Sequence, residues 1–560
     1  ATAGGLWAGC ARRGGPAALP AGLSGAILGP SEGRGHVIRD GKGPRGADTP
    51  AFTWSTEVAI LGGGVSGLSA AWTLRRAGME DFLLLELEDE AGGTSRPGRN
   101  AVSPHPWGAH YLPVPSQEQR ATCALLLELG VLRGFDAAGR AQCAEEALCR
   151  APQERIFYKG RWYEGLYLRA GASSEDLRQL DRFHAEIGTW VRARDGAGRR
   201  VFTVGAAEGE RGAAGAAMLD GRTMAQHLDG LGLTSPRLRW LVDYGCRDDF
   251  GVPLSQVSAW AAVHYFASRL LHPDDHPPEV LTWPDGNGYL MARLAERCGA
   301  ARLRTGCLVT DVRPADGGGV EVRYLRAGED DAPRRLRARQ VIFALPTFLR
   351  RHLIAPLRAN PPGYLAAFSY GPWLVANLLL RRPPAPPVAG GMPVPGGPRQ
   401  PVGYPQCWDN VLVDSPGLGY VVATHQREPQ TPPDGVPRSV FTYYRPFCGS
   451  DPKKDREMLL AADHATLAEL VLADLSRAEP DLRADLERID LTRWGHAMVR
   501  PVPGLMTGTA RDEARVALGD IHFAHSDLSG LALFEEAQAE GVRAAEEILR
   551  ARGHRHEALL

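Results

Sequence analysis

Lysine is almost missing from this chain. Four of its 64 basic residues are lysines (Lys42, Lys159, Lys453 and Lys454) and the rest are arginines, which leaves few places for a catalytic lysine. The nine cysteines are scattered, without a C-x-x-C pair or a zinc-ligand spacing, so neither a metal site nor a disulfide framework is expected. No apolar run reaches the roughly 18 residues that a bilayer-spanning helix needs, and no integral membrane segment is expected. Neither sign of charge dominates: 64 basic and 65 acidic residues leave no global field to draw the chain to nucleic acid. A small-molecule substrate is the expected partner, and a homodimer stays open. What is present is bulk: 560 residues, 44% of them hydrophobic, suffice for one large domain or two intimately joined ones.

The first residues, ATAGGLWAGCARR, are small and apolar before the first charges. They read as the tail of an export signal with a loose lipoprotein box over Leu6–Cys10. A periplasmic or exported lipoprotein and a cytoplasmic protein both remain open. Residues 14–51 are rich in Gly, Pro and Arg without a sustained period, so 1–52 is expected to be an extended arm.

Organisation follows from the periodicities. Glu57–Leu61 (EVAIL) reads as a buried strand, Ser66–Ala77 as a helix and Phe82–Leu87 as a second buried strand, a βαβ opening. From Ser116 to Ser268 the pattern is mostly helical, with a hairpin at Arg155–Tyr167, and is too long to be a loop. Strand patterns return at Leu303–Tyr324 and Ala338–Leu345, and proline-rich stretches at 383–398 and 429–437 lie between further strands. The expected division is a nucleotide-binding domain in three pieces (53–115, 271–350 and 496–560) interleaved with a cap and substrate domain in two (116–270 and 351–495). The fold class is α/β, Rossmann-like, with an α+β second domain.

Gly62, Gly64 and Gly67 form G-x-G-x-x-G after the first strand and at the mouth of the helix. Gly62 permits the tight turn, Gly64 lets backbone approach a pyrophosphate, and Gly67 lets helix pack on strand. Val65 and Ser66 open the helix, whose unpaired N–H groups and positive dipole end suit phosphate. Glu86 ends the second strand 19 residues after Gly67, where an acid accepts hydrogen bonds from an adenosine ribose.

Six residues beyond Glu86 come Gly92, Gly93, Thr94 and Ser95. This E-x5-G-G arrangement resembles the flavoprotein family of monoamine and polyamine oxidases, protoporphyrinogen oxidase and phytoene desaturase, which implies FAD as cofactor. Thr94 stands where that family usually has an arginine at the pyrophosphate. Trp107-Gly108-Ala109-His110-Tyr111 is similar to the family's segment beside the flavin ring. Trp283–Gly288 and the strand after it resemble the return to the FAD domain, implying that Val309 holds the adenine edge through backbone. Ile521–Ile548 resembles the closing strand, turn and helix. On that likeness Ser526 and Asp527 face the ribityl chain, Phe534 faces the ring, and the helix start near Glu535 stabilises negative charge on reduced flavin. His525 replaces the usual glycine there.

The resemblance implies hydride removal to flavin N5, from an amine to give an imine, with no strong base required. The lysine that many relatives carry is absent from Tyr370–Leu380 (YGPWLVANLLL), so either Asn377 or another polar group replaces it or the reaction resembles that of the C–C desaturases, which often lack it. His110, Tyr111, Phe534 and Asn377 are therefore the candidate catalytic residues. Tyr244, Arg247, Asp248, Asp249, His264, Trp408, Asp409 and Tyr443 are candidates in the substrate lobe, with the adjacent pair Asp248 and Asp249 suited to a polyamine only if it is not a structural or solvated cluster. Oxidation of a hydrophobic substrate, as by a desaturase or protoporphyrinogen oxidase, is the first alternative; a non-catalytic flavoprotein is the second.

Overall fold

The computed structural model of the protein describes residues 23–41, 52, 54–205, 215–273, 279–327, 333–384, 402–426 and 437–560. The readings made on Ala1–Arg13, Lys42 and most of both proline-rich stretches fall outside them.

The EVAIL run lies in the strand Trp54–Leu61, and its residues Val58 to Leu61 are fully buried. Burial on both faces is what a parallel strand covered by helices requires. Trp54–Leu61 pairs in parallel with Phe82–Leu85 on one side and with Pro333–Phe343 on the other, and Pro333–Phe343 pairs in parallel with Ile521–Phe523. Leu61, Phe343 and Phe523 share a register row. Strands from the opening, middle and closing parts of the chain thus end at one edge of one sheet, which has seven strands among the described residues.

Alternation then sorts the core. Val58 and Ile60 face a cluster built with the helices Val65–Arg76, Gly288–Cys298 and Phe534–Ala551, while Ala59 and Leu61 face a second cluster with Val341 and Phe523. The opening and closing helices cross closely. A Cβ at Gly541 would lie 2.1 Å from the Ser66 carbonyl oxygen, and the Ser66 hydroxyl donates to the Ala537 carbonyl at 2.7 Å.

A second sheet, of nine strands among the described residues, is built on the long antiparallel strands Tyr370–Leu380 and Leu486–Val499. The hairpin falls at Glu154–Tyr158 and Arg161–Glu164 and joins this sheet beside Asp409–Leu412, so the two pieces of the second domain share one sheet. Leu374, Ala376 and Leu378 pack on the helix His464–Leu475, and Trp373 and Val375 look the other way, onto Tyr244, Trp408 and Tyr444. The helices Ser174–Arg192, Met224–Gly230, Pro236–Phe250 and Ala259–Ala267 form the cap with a core of their own.

The arm differs from the extended segment expected. Ile27–Leu28 pairs in parallel with Leu491–Thr492, and Glu32–Arg39 is a helix. Two residues are too few to show a strand period, and Gly33 and Gly35 disguise the helix. No helix among the described residues is long and apolar enough to cross a membrane.

The helix crossing is testable. Gly541→Ala is expected to cost about 2 kcal/mol through overpacking against Ser66, read as a lower melting temperature and soluble yield. Gly196→Ala, where a Cβ meets nothing within 4 Å, leaves both unchanged.

Candidate active site

The strand edge opens on a cavity of about 690 Å³. Of the residues expected to bind a cofactor, Gly62, Gly64, Val65, Ser66, Glu86, Gly92, Gly93, Thr94, Ser95, Ala109, Ser526, Asp527 and Phe534 line it. Gly67, Gly108, Val309 and Glu535 do not. Gly67 acts by close packing instead, since a Cβ there would fall 1.9 Å from the Gly62 oxygen. Val309 sits in the ladder opposite Tyr324, and Gly108 packs on the Thr94 carbonyl, where a Cβ would come within 2.2 Å.

The two glycine turns dock on each other. Gly92 N–H donates to the Gly63 carbonyl at 2.8 Å, and Gly92 and Gly93 take φ of 143° and 56°, values that favour glycine. The Glu86 carboxylate accepts from Gly63 N–H at 2.6 Å and from Glu88 N–H at 2.8 Å, while burial pushes its pKa up. Asp527 is the opposite case. Burial works against its charge, but His525 beside it, the Thr347 N–H and the Tyr370 hydroxyl hold it down at about 2.

The residues fit a flavin dinucleotide. A Cβ at Gly64 would meet only Gly93 Cα, at 3.9 Å, so any side chain there would enter the cavity. The buried indole N–H of Trp107, another lining residue, has no hydrogen-bond partner among the described residues.

Beside this cavity the chain builds a second group of side chains. Ala109 and Phe534 line the cofactor cavity, and their chain neighbours His110, Tyr111 and Glu535 belong to the cluster next to it. His110 stacks on Tyr444 (4.5 Å between centroids, 25°), with Trp408 and Tyr111 at 5.6 and 5.1 Å. Burial lowers the His110 pKa to about 4, so its imidazole is neutral at physiological pH. The Tyr111 hydroxyl lies 3.2 Å from a carboxyl oxygen of each of Asp248 and Asp249, and Asp249 is ion-paired to Arg269 at 2.6 Å. Tyr244 donates to Asp409 at 3.2 Å.

Three carboxyls in this cluster have no hydrogen-bonded cation among the described residues. Burial and then the charge of Asp249 push Asp248 up to about 7. Burial pushes Glu154 up to about 7, and burial with the charges of Asp248 and Glu154 pushes Asp409 well above the usual range. Each keeps some accessible surface although protein surrounds it, as groups facing an internal space do.

The other candidates stand elsewhere. Asn377 donates to the Pro106 carbonyl and to Thr442, outside the cofactor cavity, so its amide is spent on joining the two domains. Val375 rather than a lysine fills the strand's site-facing surface. Arg247 pairs with Asp243, His264 stacks on Trp260 in the cap, and Tyr443 donates to Asp474 on the far face of the sheet. Tyr444, one residue on, faces the site and donates to the Gly108 carbonyl. Glu154 and Arg269 also escaped notice, because only the hairpin and the cap bring them here.

Fold and cleft together define a dinucleotide-binding protein of the two-domain flavoprotein type. Comparison with known proteins agrees. Residues 60–128 match an NAD(P)-binding Rossmann-like domain, and residues 260–549, more than half of the chain, match the flavin containing amine oxidoreductases. The chain belongs to that family, and its cofactor is a flavin. A Mycobacterium tuberculosis protein named as a candidate flavin-containing monoamine oxidase, AofH, is 40% identical over 78 residues, which span 14% of this chain and 16% of that relative. Among solved structures, putrescine oxidase with bound putrescine superposes with TM-score 0.62 at 18% identity, over 89% of this chain and 99% of that one. Cyclohexylamine oxidase from Brevibacterium oxydans gives 0.57 at 16% (89% and 99%), and a fatty acid isomerase from P. acnes 0.55 at 15% (88% and 98%). At these identities the likeness is one of fold.

Replacing Gly93 by valine is expected to abolish flavin retention. The residue would be strained at φ 56°, and its Cβ would lie 3.2 Å from Gly64 Cα. The check is the flavin-to-protein absorbance ratio of purified protein, with far-UV circular dichroism unchanged.

Proposed function

We propose that the protein oxidises a small organic amine carrying a second positive charge, a diamine or polyamine, to the imine. One observation carries this reading: Asp248, Asp409 and Glu154 lie together beside the cofactor cavity with no hydrogen-bonded cation among the described residues. A buried carboxylate lacking a partner is costly and takes up a proton instead. An ammonium entering the cluster supplies the missing charge, so the carboxyls ionise as it binds. A neutral, lipid-like substrate would leave them in an apolar contact that they disfavour.

The bound flavin supplies the acceptor for a hydride leaving the carbon next to nitrogen. The protein positions and desolvates. His110, Tyr444, Trp408 and Tyr111 offer aromatic surfaces to an alkylamine, and aromatic faces also attract cations. Neutral His110 adds no repelling charge. The reacting nitrogen needs its lone pair, and no lysine or strong base is required for that step.

Asp248→Asn is expected to raise KM for a diamine at least tenfold, about 1.4 kcal/mol, with kcat within about threefold and KM for an alkyl monoamine little changed. Binding of a non-oxidisable bis-guanidinium compound should tighten from about pH 6 to about pH 8, since Asp248 and Glu154 gain charge near 7. Titration calorimetry of the variant gives a flatter profile. Asp248→Asn also stabilises the free protein at the upper pH, where the folded state must hold a carboxylate whose pKa is raised, and this gain vanishes at the lower pH. Bleaching of the flavin by hydrophobic neutral compounds but by no amine would sink the proposal.

A further inference from the structure

The diphosphate of a flavin dinucleotide brings two negative charges to the strand edge, and the glycine turns there offer backbone but no cation. Gly92, Gly93, Thr94 and Ser95 are uncharged, and the next residue, Arg96, is spent on Glu88, Asp89 and Glu90. Arg493, which also lines the cavity, is held by Glu32 and by the Leu460 and Ala462 carbonyls. Lys453 and Arg456 enter from the helix Pro452–Ala461 of the other domain.

One side chain at the edge is differently placed. His525 lies two residues beyond Phe523, in the row that carries Leu61 into Gly62–Gly64 and Phe343 into Ala344–Pro346. Ligands of open parallel sheets bind beyond the carboxyl ends of the strands, and this register puts the ring there. Its Nδ1 is 3.0 Å from Asp527 Oδ1, and Asp527 N–H reaches the same nitrogen at 3.1 Å. The ring lines the cavity and keeps 24% of its side-chain surface, while Nε2 has no hydrogen-bond partner among the described residues. Asp527 is itself fixed, by Thr347 and Tyr370, so the ring is braced from behind.

We propose that His525 is a cofactor-binding residue, a ring held by Asp527 on one side that donates through Nε2 to the phosphate oxygens of FAD on the other. The ring's Nδ1 faces Asp527, which leaves Nε2 as the nitrogen that serves the ligand. A donor to the diphosphate is thereby delivered from the last third of the chain.

The test is FAD binding to the full chain stripped of flavin, followed by quenching of tryptophan fluorescence. His525→Ala is expected to raise Kd at least tenfold, and His525→Lys to stay within about threefold of the parent. In the double variant Thr94→Arg with His525→Ala, a cation restored to the glycine turn recovers most of the loss. Near-UV circular dichroism of each stripped variant checks that the fold is kept. An unchanged Kd in His525→Ala overturns the proposal. So does a loss that neither cationic variant repairs, which would assign the ring to bracing Asp527 alone.

Discussion

A long, thin, doubly charged cofactor can be held only where several chain segments stop at the same place, and here that place is set by backbone pairing. The parallel register that aligns Leu61, Phe343 and Phe523 makes three strands end together, and Gly62, Gly64, Ala344–Pro346 and His525–Asp527 of the cavity lining follow within a few residues of those ends. Glycine is required at this edge for want of room. Gly67 abuts a carbonyl, Gly93 abuts Gly64, and Gly541 lets the closing helix lie on the opening one. Hydrogen bonding between strands and the absence of side chains between helices are thus two halves of one constraint.

The neighbouring cluster obeys a different rule. Three of its acids, Asp248, Asp409 and Glu154, are largely desolvated with no hydrogen-bonded cation among the described residues, a state that natural cores avoid because the charged form is so poorly solvated. Pairing is available in this protein wherever the sequence uses it: Arg155 and Glu479 are both nearly inaccessible and bonded to each other at 3.1 Å, with Tyr420 and Asn410 completing the network. Asp248, Asp409 and Glu154 are left out of such arrangements. The contrast between these two groups of acids is what the proposed role in binding a cationic ligand rests on.

The nucleotide-binding half was legible in the sequence because its requirements are local. A turn that needs positive φ, a helix that must start on bare N–H groups and an acid at a strand end each leave a residue at a fixed spacing. The substrate half was not, because its residues meet only through pairing. Tyr443 and Tyr444 are equivalent in composition, and a register set by distant strands decides that the second faces the site while the first bonds Asp474. Glu154 reaches the cluster on a hairpin that adds to a sheet made mostly from residues more than two hundred positions later. Asn377 looked like a substitute for a missing lysine until its amide was found joining the sheet to the Pro106 carbonyl. The arm was misjudged for the same reason, since its strand has no partner nearby in sequence.

That arm bears on how the protein is assembled. Ser31 clasps Glu88 through both its backbone N–H and its hydroxyl at 2.8 Å, and Arg34 binds the Leu87 and Gly306 carbonyls, so the segment closes the cleft just beyond Glu86. Its edge strand, however, seats on Leu491–Thr492, and Ala26 N–H bonds Asp490 across 464 residues of chain. A ribosome makes the cover 464 residues before its seat. The cover therefore cannot take that seat over the nucleotide cleft until the later strand has been made.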